Sequence, residues 1–584
     1  MKSKTMLIFF LLMLALQWSG CSSLHPGASV AAKLGEVGGA QESLVPRGEE
    51  AYYYFSLGNL AEMRGNGEEA TDWYRKALRS HQRSLYLRMS LGMLYLRMGQ
   101  WANGLSQAEE ILQQDPRYLE AHLLMGNAYL GLQDYKKAEE SFQRALSLDP
   151  RREDLYLLLG GVYGQSKDYE KAIDLYQKLE RLKPDSPLPS YHLGRIYLER
   201  KMLAEARRHL AEALAKDPGF EDAVFALGYS YEVEGRWEEA KEVYLKTLQE
   251  DPQDWEVRHR FAQVLIRLKD LDQALVHGQL ALEANPDFLE AKKTIGIIYM
   301  EKKSFQQAVT CFQEILAQDP DDQSSLLNLG LSLEELGRYE EALTSFSKIP
   351  PEGSFYSEAL IHRGYVATLL GRFDQAIALY GEALKGSPDA ANFHFFLGLT
   401  YLRKKDYVQS IGCLEKAVSL DQGKEIYHFQ LGAAYERMGQ LDKAEGEFKE
   451  AIRLNPRQAD AYNYLGYMYA DRGLKLDESV FYIKKALELE PSNGAFVDSL
   501  GWAYFKKGMV DEAIRELERS LELSMMNDPT IHEHLGDAYF QKGLILKAIA
   551  EWEKSIQLNG ESREQLERKI EEGKRGLTRK RNDQ

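Results

Sequence analysis

Cysteine is scarce in this chain: three residues in 584, at 21, 311 and 413. That excludes a disulfide-stapled scaffold. No Cys-x-x-Cys pair or Cys/His cluster offers a zinc site. Basic charge is also short. The 73 Lys and Arg stand against 89 Asp and Glu, a formal net charge of −16, which argues against nucleic acid, whose phosphates need a basic stripe. Long hydrophobic runs are missing too. The longest apolar stretch, residues 6–16, makes a helix of roughly 16 Å, too short for a ~30 Å hydrocarbon core. Neither a G-x-S-x-G nucleophile elbow nor a G-x-x-x-x-G-K-[ST] phosphate loop occurs. His532, Glu533 and His534 come nearest to a metal motif. On a helix the two His are turned about 200° apart, so they do not converge on one ion. No catalytic constellation, metal site or cofactor is expected, and the chain reads as a non-enzyme.

What is present is a period. Glycine recurs every 34 residues from Gly58 through Gly92, Gly126, Gly160, Gly194 and Gly228; Ala262 takes one slot. The series resumes from Gly296 to Gly466, and two steps of 35 reach Gly501 and Gly536. Small residues stand twelve positions after the glycine (Ala70, Ala138, Ala172, Ala240), Tyr three after it (Tyr95, Tyr129, Tyr163, Tyr435), and Pro twenty-four after it (Pro116, Pro150, Pro218, Pro320). Gly and Ala let two helices approach. The aromatic fills the gap between successive units. Asp-Pro pairs such as Asp115-Pro116 and Asp149-Pro150 stop one helix and set up the next. Each unit is predicted to be helix, turn, helix, turn, and fifteen such units fill about residues 51–562. A repeat of this length predicts an extended stack stabilised by its neighbours, with no block left over for a catalytic domain.

These columns resemble the tetratricopeptide repeat (TPR). The third unit follows the family order with Gly126, Tyr129, Ala138, Phe142, Ala145 and Pro150 in register, departing at Met125, where the family has leucine. The resemblance implies an all-α, right-handed superhelical solenoid of about fifteen repeats, and a concave groove lined by the first helix of each. The implied lining lies three residues before and one residue after the glycine. Large apolar side chains concentrate there at Tyr191, Phe225 and Tyr229, and again at Ile361, Tyr365, Phe395, Leu399 and Phe429. These eight are the candidate protein-binding residues, unless the superhelix buries them against its own turns. A polar stretch of His259, Gln263 and Lys293 separates the two groups. Lys293 is followed by Ile297, so the Lys/Asn clamp that some family members close on a peptide carboxylate is not reproduced.

The ends set the expected compartment. Lys2 and Lys4 precede the apolar run, which makes residues 1–20 a signal peptide. Ser19, Gly20 and Cys21 resemble a bacterial lipobox, with Trp18 in a slot usually held by Leu. Lipidation at Cys21 would anchor the chain, residues 21–50 would form a Gly/Ala/Ser-rich tether, and Ser22 in place of Asp implies the outer membrane, facing the periplasm. Residues 563–584 read as a charged capping helix with a basic tail at Arg579, Lys580 and Arg581. The tail is either part of the cap or a contact to a polyanionic surface. The block Leu465-Gly466-Tyr467, Leu476-Asp477-Glu478 and Asp498-Ser499-Leu500-Gly501-Trp502 looks like the last repeats of large bacterial envelope lipoproteins. Some of these are adaptors for a carboxyl-terminal processing protease and its cell-wall hydrolase clients. The expected function is therefore a non-catalytic scaffold for envelope proteins or peptides. The alternative is an assembly factor for a secretion, pilus or exopolysaccharide-export machine. Cys311 and Cys413 share a repeat column three units apart and read as unpaired core residues.

Overall fold

The recurrent glycine marks the point where two helices of a repeat touch. A computed structural model describes residues 48–524, 528–558 and 563–582. They form 31 α-helices and, among the described residues, no strand. Twenty-eight of them pair as fourteen A/B hairpins, from Glu49–Met63 with Gly67–Ser80 to Pro529–Gln541 with Ile545–Gln557; Trp255–Arg267 and Leu271–Ala284 are the two helices of repeat seven, and Arg563–Asn582 ends the series. The chain divides into two compact units, residues 1–270 and 271–584. The first holds repeats one to six and helix Trp255–Arg267; the second runs from Leu271–Ala284 onward. Within each unit every helix packs on its sequence neighbours, as short antiparallel connections require.

The A helix meets its B helix through glycine against a ring. A β-carbon on Gly126 would stand 2.5 Å from Phe142, and one on Gly330 2.3 Å from Phe346. At Gly536 the neighbour is Trp552, at 2.5 Å. Those rings lie sixteen residues after the glycine and are almost wholly buried. The alanines of the small-residue column, such as Ala138, Ala240 and Ala444, have no exposed surface.

Each A helix ends in one way. The seventh residue after the glycine takes a left-handed backbone in all fifteen repeats. In nine of them it is glycine, as at Gly65 and Gly337; in six it is Gln133, Lys167, Lys201, Lys269, Lys303 or Lys405. The turn is a Schellman motif: Lys303 N–H donates to the Met300 carbonyl at 2.9 Å, and Ser304 N–H to that of Tyr299 at 2.8 Å. Five B helices end at an Asp-Pro turn, for a reason beyond proline. The Asp115 carboxylate accepts the Arg117 N–H at 2.9 Å, and Asp149, Asp217, Asp251 and Asp319 bond two residues ahead in the same way.

Two polar columns tie consecutive repeats. Four residues before the glycine, a side chain bonds the carbonyl of the preceding turn: His122 to Pro116 at 3.0 Å, Tyr156 to Pro150 at 3.0 Å, His394 to Pro388 at 2.8 Å. Three residues after it, the Tyr hydroxyl reaches an acid on the previous B helix, Tyr163 to Glu139 at 3.0 Å and Tyr539 to Glu518 at 2.6 Å. A lysine of its own B helix covers the ring, as Lys171 covers Tyr163 at 5.2 Å. The tyrosine therefore does more than fill space: it joins three helices. Cys311 and Cys413 are half-buried and free, and burial pushes both thiols up to about 11.

A left-handed backbone costs a non-glycine residue about 1–2 kcal/mol, partly offset by the greater chain entropy of glycine. Lys201→Gly and Lys303→Gly should each stabilise the protein by about 0.5–1 kcal/mol, read as a higher urea midpoint. Lys201 and Lys303 are exposed; a lowered midpoint in both variants would contradict the turn geometry.

Candidate protein-binding surface

Positions three before and one after the glycine lie four residues apart, on one face of the A helix. The structure treats the two positions differently. Three before the glycine, Tyr191, Ile361, Phe395 and Phe429 are buried, with Phe395 8% and Phe429 3% exposed. One after it, Tyr229, Tyr365 and Leu399 are half-buried, and so is Phe225 of the first position. The eight candidates therefore split evenly: four lie under the surface and four reach it.

The next repeat supplies the cover. Tyr191 packs on Phe220 with ring centroids 4.8 Å apart, Phe395 on Tyr427 at 4.7 Å, and Phe429 edge-on to Tyr464 at 5.1 Å. Tyr191, Phe395 and Phe429 lean toward the first half of the following A helix and are buried there. Expecting Phe395 to act as an open anchor is thus corrected: its truncation would empty a core that also holds Leu414, Phe448 and Tyr435. The signal was in the sequence, as an aromatic at the start of the next A helix, but read across repeats and not within one.

The second position makes a run. In the second unit it reads Ile297, Leu331, Tyr365, Leu399, Ala433 and Tyr467, all half-buried, then buried Trp502. In the first unit it is mixed: Asn59, Met93, Asn127, Gly161, Arg195, Tyr229 and Gln263. A continuous apolar line at successive repeats belongs to the second unit.

Charged residues of the same columns are partnered inside the protein. Lys293 is buried between Glu290 at 3.0 Å and Asp322 at 3.2 Å. Burial works against its charge, but the two carboxylates prevail and hold it above the ordinary lysine value. In the last repeats Asp498 faces His534, Oδ1 to Nδ1 at 3.0 Å, and the imidazole stacks on Trp502 at 4.0 Å. Lys569, from the terminal helix, reaches Asp537 at 2.7 Å and Glu533 at 3.3 Å. His532 is bound instead to Glu551 at 2.6 Å, so the two rings of the His-Glu-His sequence serve different carboxylates. Among the described residues no three His, Cys, Asp or Glu side chains gather as a metal site. Cys21 and residues 1–47, with the signal peptide and most of the tether expected there, lie outside the described residues, as do the side chains of Arg579, Lys580 and Arg581.

The Asp498–His534 pair makes stability depend on pH. Burial opposes the imidazolium, but Asp498 raises its pKa above the usual 6.5. The stabilisation is complete below pH 6.5 and is lost as pH rises through the raised value. Asp498→Asn should cost on the order of 3 kcal/mol between pH 5 and 6.5, with the difference shrinking at higher pH. Urea titrations of both proteins across that range check it; a difference that grows with pH would contradict the pairing.

Sequence models of the tetratricopeptide repeat match residues 51–85, 89–151, 123–187, 164–228, 197–256, 233–295, 294–357, 367–425, 426–458 and 499–562. The chain is similar to Superkiller complex protein 3 of Homo sapiens, 35% identical over 95 residues, which is 15% of this chain and 6% of that protein. An uncharacterized protein of Haemophilus influenzae is 31% identical over 77 residues, 13% of this chain and 43% of the other. The chain thus spans less than half the length of these curated relatives. Among solved structures, the one described as the APC/C hetero-tetramer Cut9-Hcn1 aligns over 90% of this chain and 96% of its own, at 16% identity and a TM-score of 0.40. MamA aligns over 27% of this chain and 93% of its own, at 31% identity and a TM-score of 0.26. With matches along both units and a helix-turn-helix unit repeated fifteen times, the chain belongs to the tetratricopeptide-repeat family.

Proposed function

We propose that this protein is a non-catalytic scaffold of the bacterial cell envelope, held to the outer membrane by a lipid on Cys21, that grips partner proteins along the second unit. The family is one of protein-interaction repeats, and the observation that carries the finer reading is the line Ile297, Leu331, Tyr365, Leu399, Ala433 and Tyr467. Half-buried apolar side chains at the same position of consecutive repeats form a surface that water wets poorly and an extended or helical segment can cover. The charged residues beneath it are neutralised in place, so the recognition chemistry is apolar, with aromatic anchors at Tyr365 and Tyr467. The compartment rests on Ser19, Gly20 and Cys21 after the apolar run, and on the block around Gly466 and Gly501 that looks like envelope lipoproteins. The likeness of that block favours a processing protease and its clients as partners.

Photo-crosslinking from position 399 in intact cells, followed by identification of the captured protein, tests the reading. Tyr365→Ala should weaken a captured partner by about 1–3 kcal/mol, roughly ten- to hundredfold, with the melting temperature nearly unchanged. Phe395→Ala should instead lower the melting temperature. Equal thermal loss in both would place Tyr365 in the core and move the binding surface elsewhere.

The anchor has its own test. Cys21→Ser should move the protein from the membrane fraction to the soluble fraction of lysed cells. A wild-type protein already soluble would end the lipid-anchor reading.

A further inference from the structure

The first helix is covered differently from every A helix after it. In later repeats the preceding B helix lies on the A helix and buries two columns, five residues before the glycine and two after it. Leu87, Ala121 and Leu155 of the first column, and Leu94, Ala128 and Val162 of the second, are at most 2% exposed. In repeat one these positions hold Tyr53 and Leu60, which are 59% and 43% exposed. Tyr52 and Met63 are exposed on the same helix. The opposite end is closed, because Arg563–Asn582 lies on the last B helix with Leu566 and Ile570 buried. Among the described residues, large apolar side chains thus stand exposed at positions that this fold otherwise covers with a helix.

The charges say which helix fits. Glu49 and Glu50 open the helix Glu49–Met63, and Arg64 follows its end. Glu50 also accepts a bond from Ser80 Oγ at 3.3 Å. A helix packed on an A helix in this fold runs antiparallel to it, since a short turn joins the two. An antiparallel copy of Glu49–Met63 would bring its Arg64 to Glu49 and Glu50, and two-fold symmetry would make that contact twice. The helix dipoles would also oppose each other favourably. We propose that this face pairs two copies of the chain, Glu49–Met63 packing antiparallel on its counterpart about a two-fold axis. One fifteen-residue helix per copy is a small interface, so the dimer is weak and concentration-dependent.

Sedimentation equilibrium of the full chain from about 1 to 100 µM, the range of weak transient pairs, tests this. Wild type should show a monomer–dimer equilibrium. Leu60→Glu, at an exposed site, should weaken it at least about tenfold with an unchanged helical spectrum. Arg64→Glu should weaken it several-fold, and Glu49→Arg added to Arg64→Glu should restore it, which separates pairing from any loss of fold. A dimer untouched by these changes overturns the proposal. So does a monomer throughout the range. In that case a Leu60→Cys thiol shielded from label would mean that the chain's own residues cover the face, and a labelled one would leave it for a different protein.

Discussion

Everything in the repeat depends on how closely the A helix can approach the B helix, and one glycine against one buried ring sets that distance. At Gly228 a β-carbon would fall 2.2 Å from the Tyr244 hydroxyl oxygen, and at Gly364 2.2 Å from the Tyr380 ring. Real β-carbons do not come that near, so a larger residue would force the helices apart or turn the ring out of its pocket. Where the ring is missing, another side chain takes its place. Repeat two has Ala108 in the ring column, and there a β-carbon on Gly92 would stand 2.4 Å from Leu124 of the next A helix. Because the glycine faces the B helix, the position one residue further along the A helix is turned away from it. The apolar line of the second unit exists because the seam is so tight on the other side.

Charge follows the same local rule. Although the net charge is −16, many cations meet an acid of the neighbouring helix. Arg200 meets Glu170 at 2.8 Å and Lys404 meets Asp374 at 2.7 Å, each joining the end of an A helix to the start of the preceding B helix. Such exposed pairs contribute at most about 1 kcal/mol each, and they fix register more than they stabilise. Where repeat thirteen gains a residue, Lys475 takes a left-handed backbone and its ammonium binds Glu445 at 2.7 Å. Burial works against the Glu445 carboxylate, but Lys449, Lys475 and Tyr469 hold its pKa down at about 2. The insertion is absorbed without loss of the helix pair.

Much of this was legible in the sequence, because the repeat prints its structural needs many times over. The glycine, the small residue and the Asp-Pro turn are steric and hydrogen-bonding requirements of a single unit, and they recur as letters. The left-handed turn is harder to see, since Lys167, Lys201 and Lys303 fill a slot where glycine would have been the signal. Burial of the candidate site is harder still. Whether Phe395 is open depends on Tyr427, a residue of the next repeat, and a column read alone does not show its neighbour. The same holds for Asp498 and His534, which belong to adjacent columns of consecutive repeats. Local constraints reach the sequence as a period, whereas contacts between units reach it as pairs of columns.

The seam itself offers the most direct test. Gly126 and Phe142 make the contact without a hydrogen bond to confuse it, and the ring is fully buried. A double-mutant cycle of Gly126→Ala and Phe142→Leu, read by chemical denaturation, measures their coupling. The account predicts that Gly126→Ala costs about 1–3 kcal/mol with the ring in place and much less once leucine has replaced it, a coupling of at least about 1 kcal/mol. Strictly additive losses would mean that the glycine is there for some reason other than the ring, and the close approach would no longer explain the repeat.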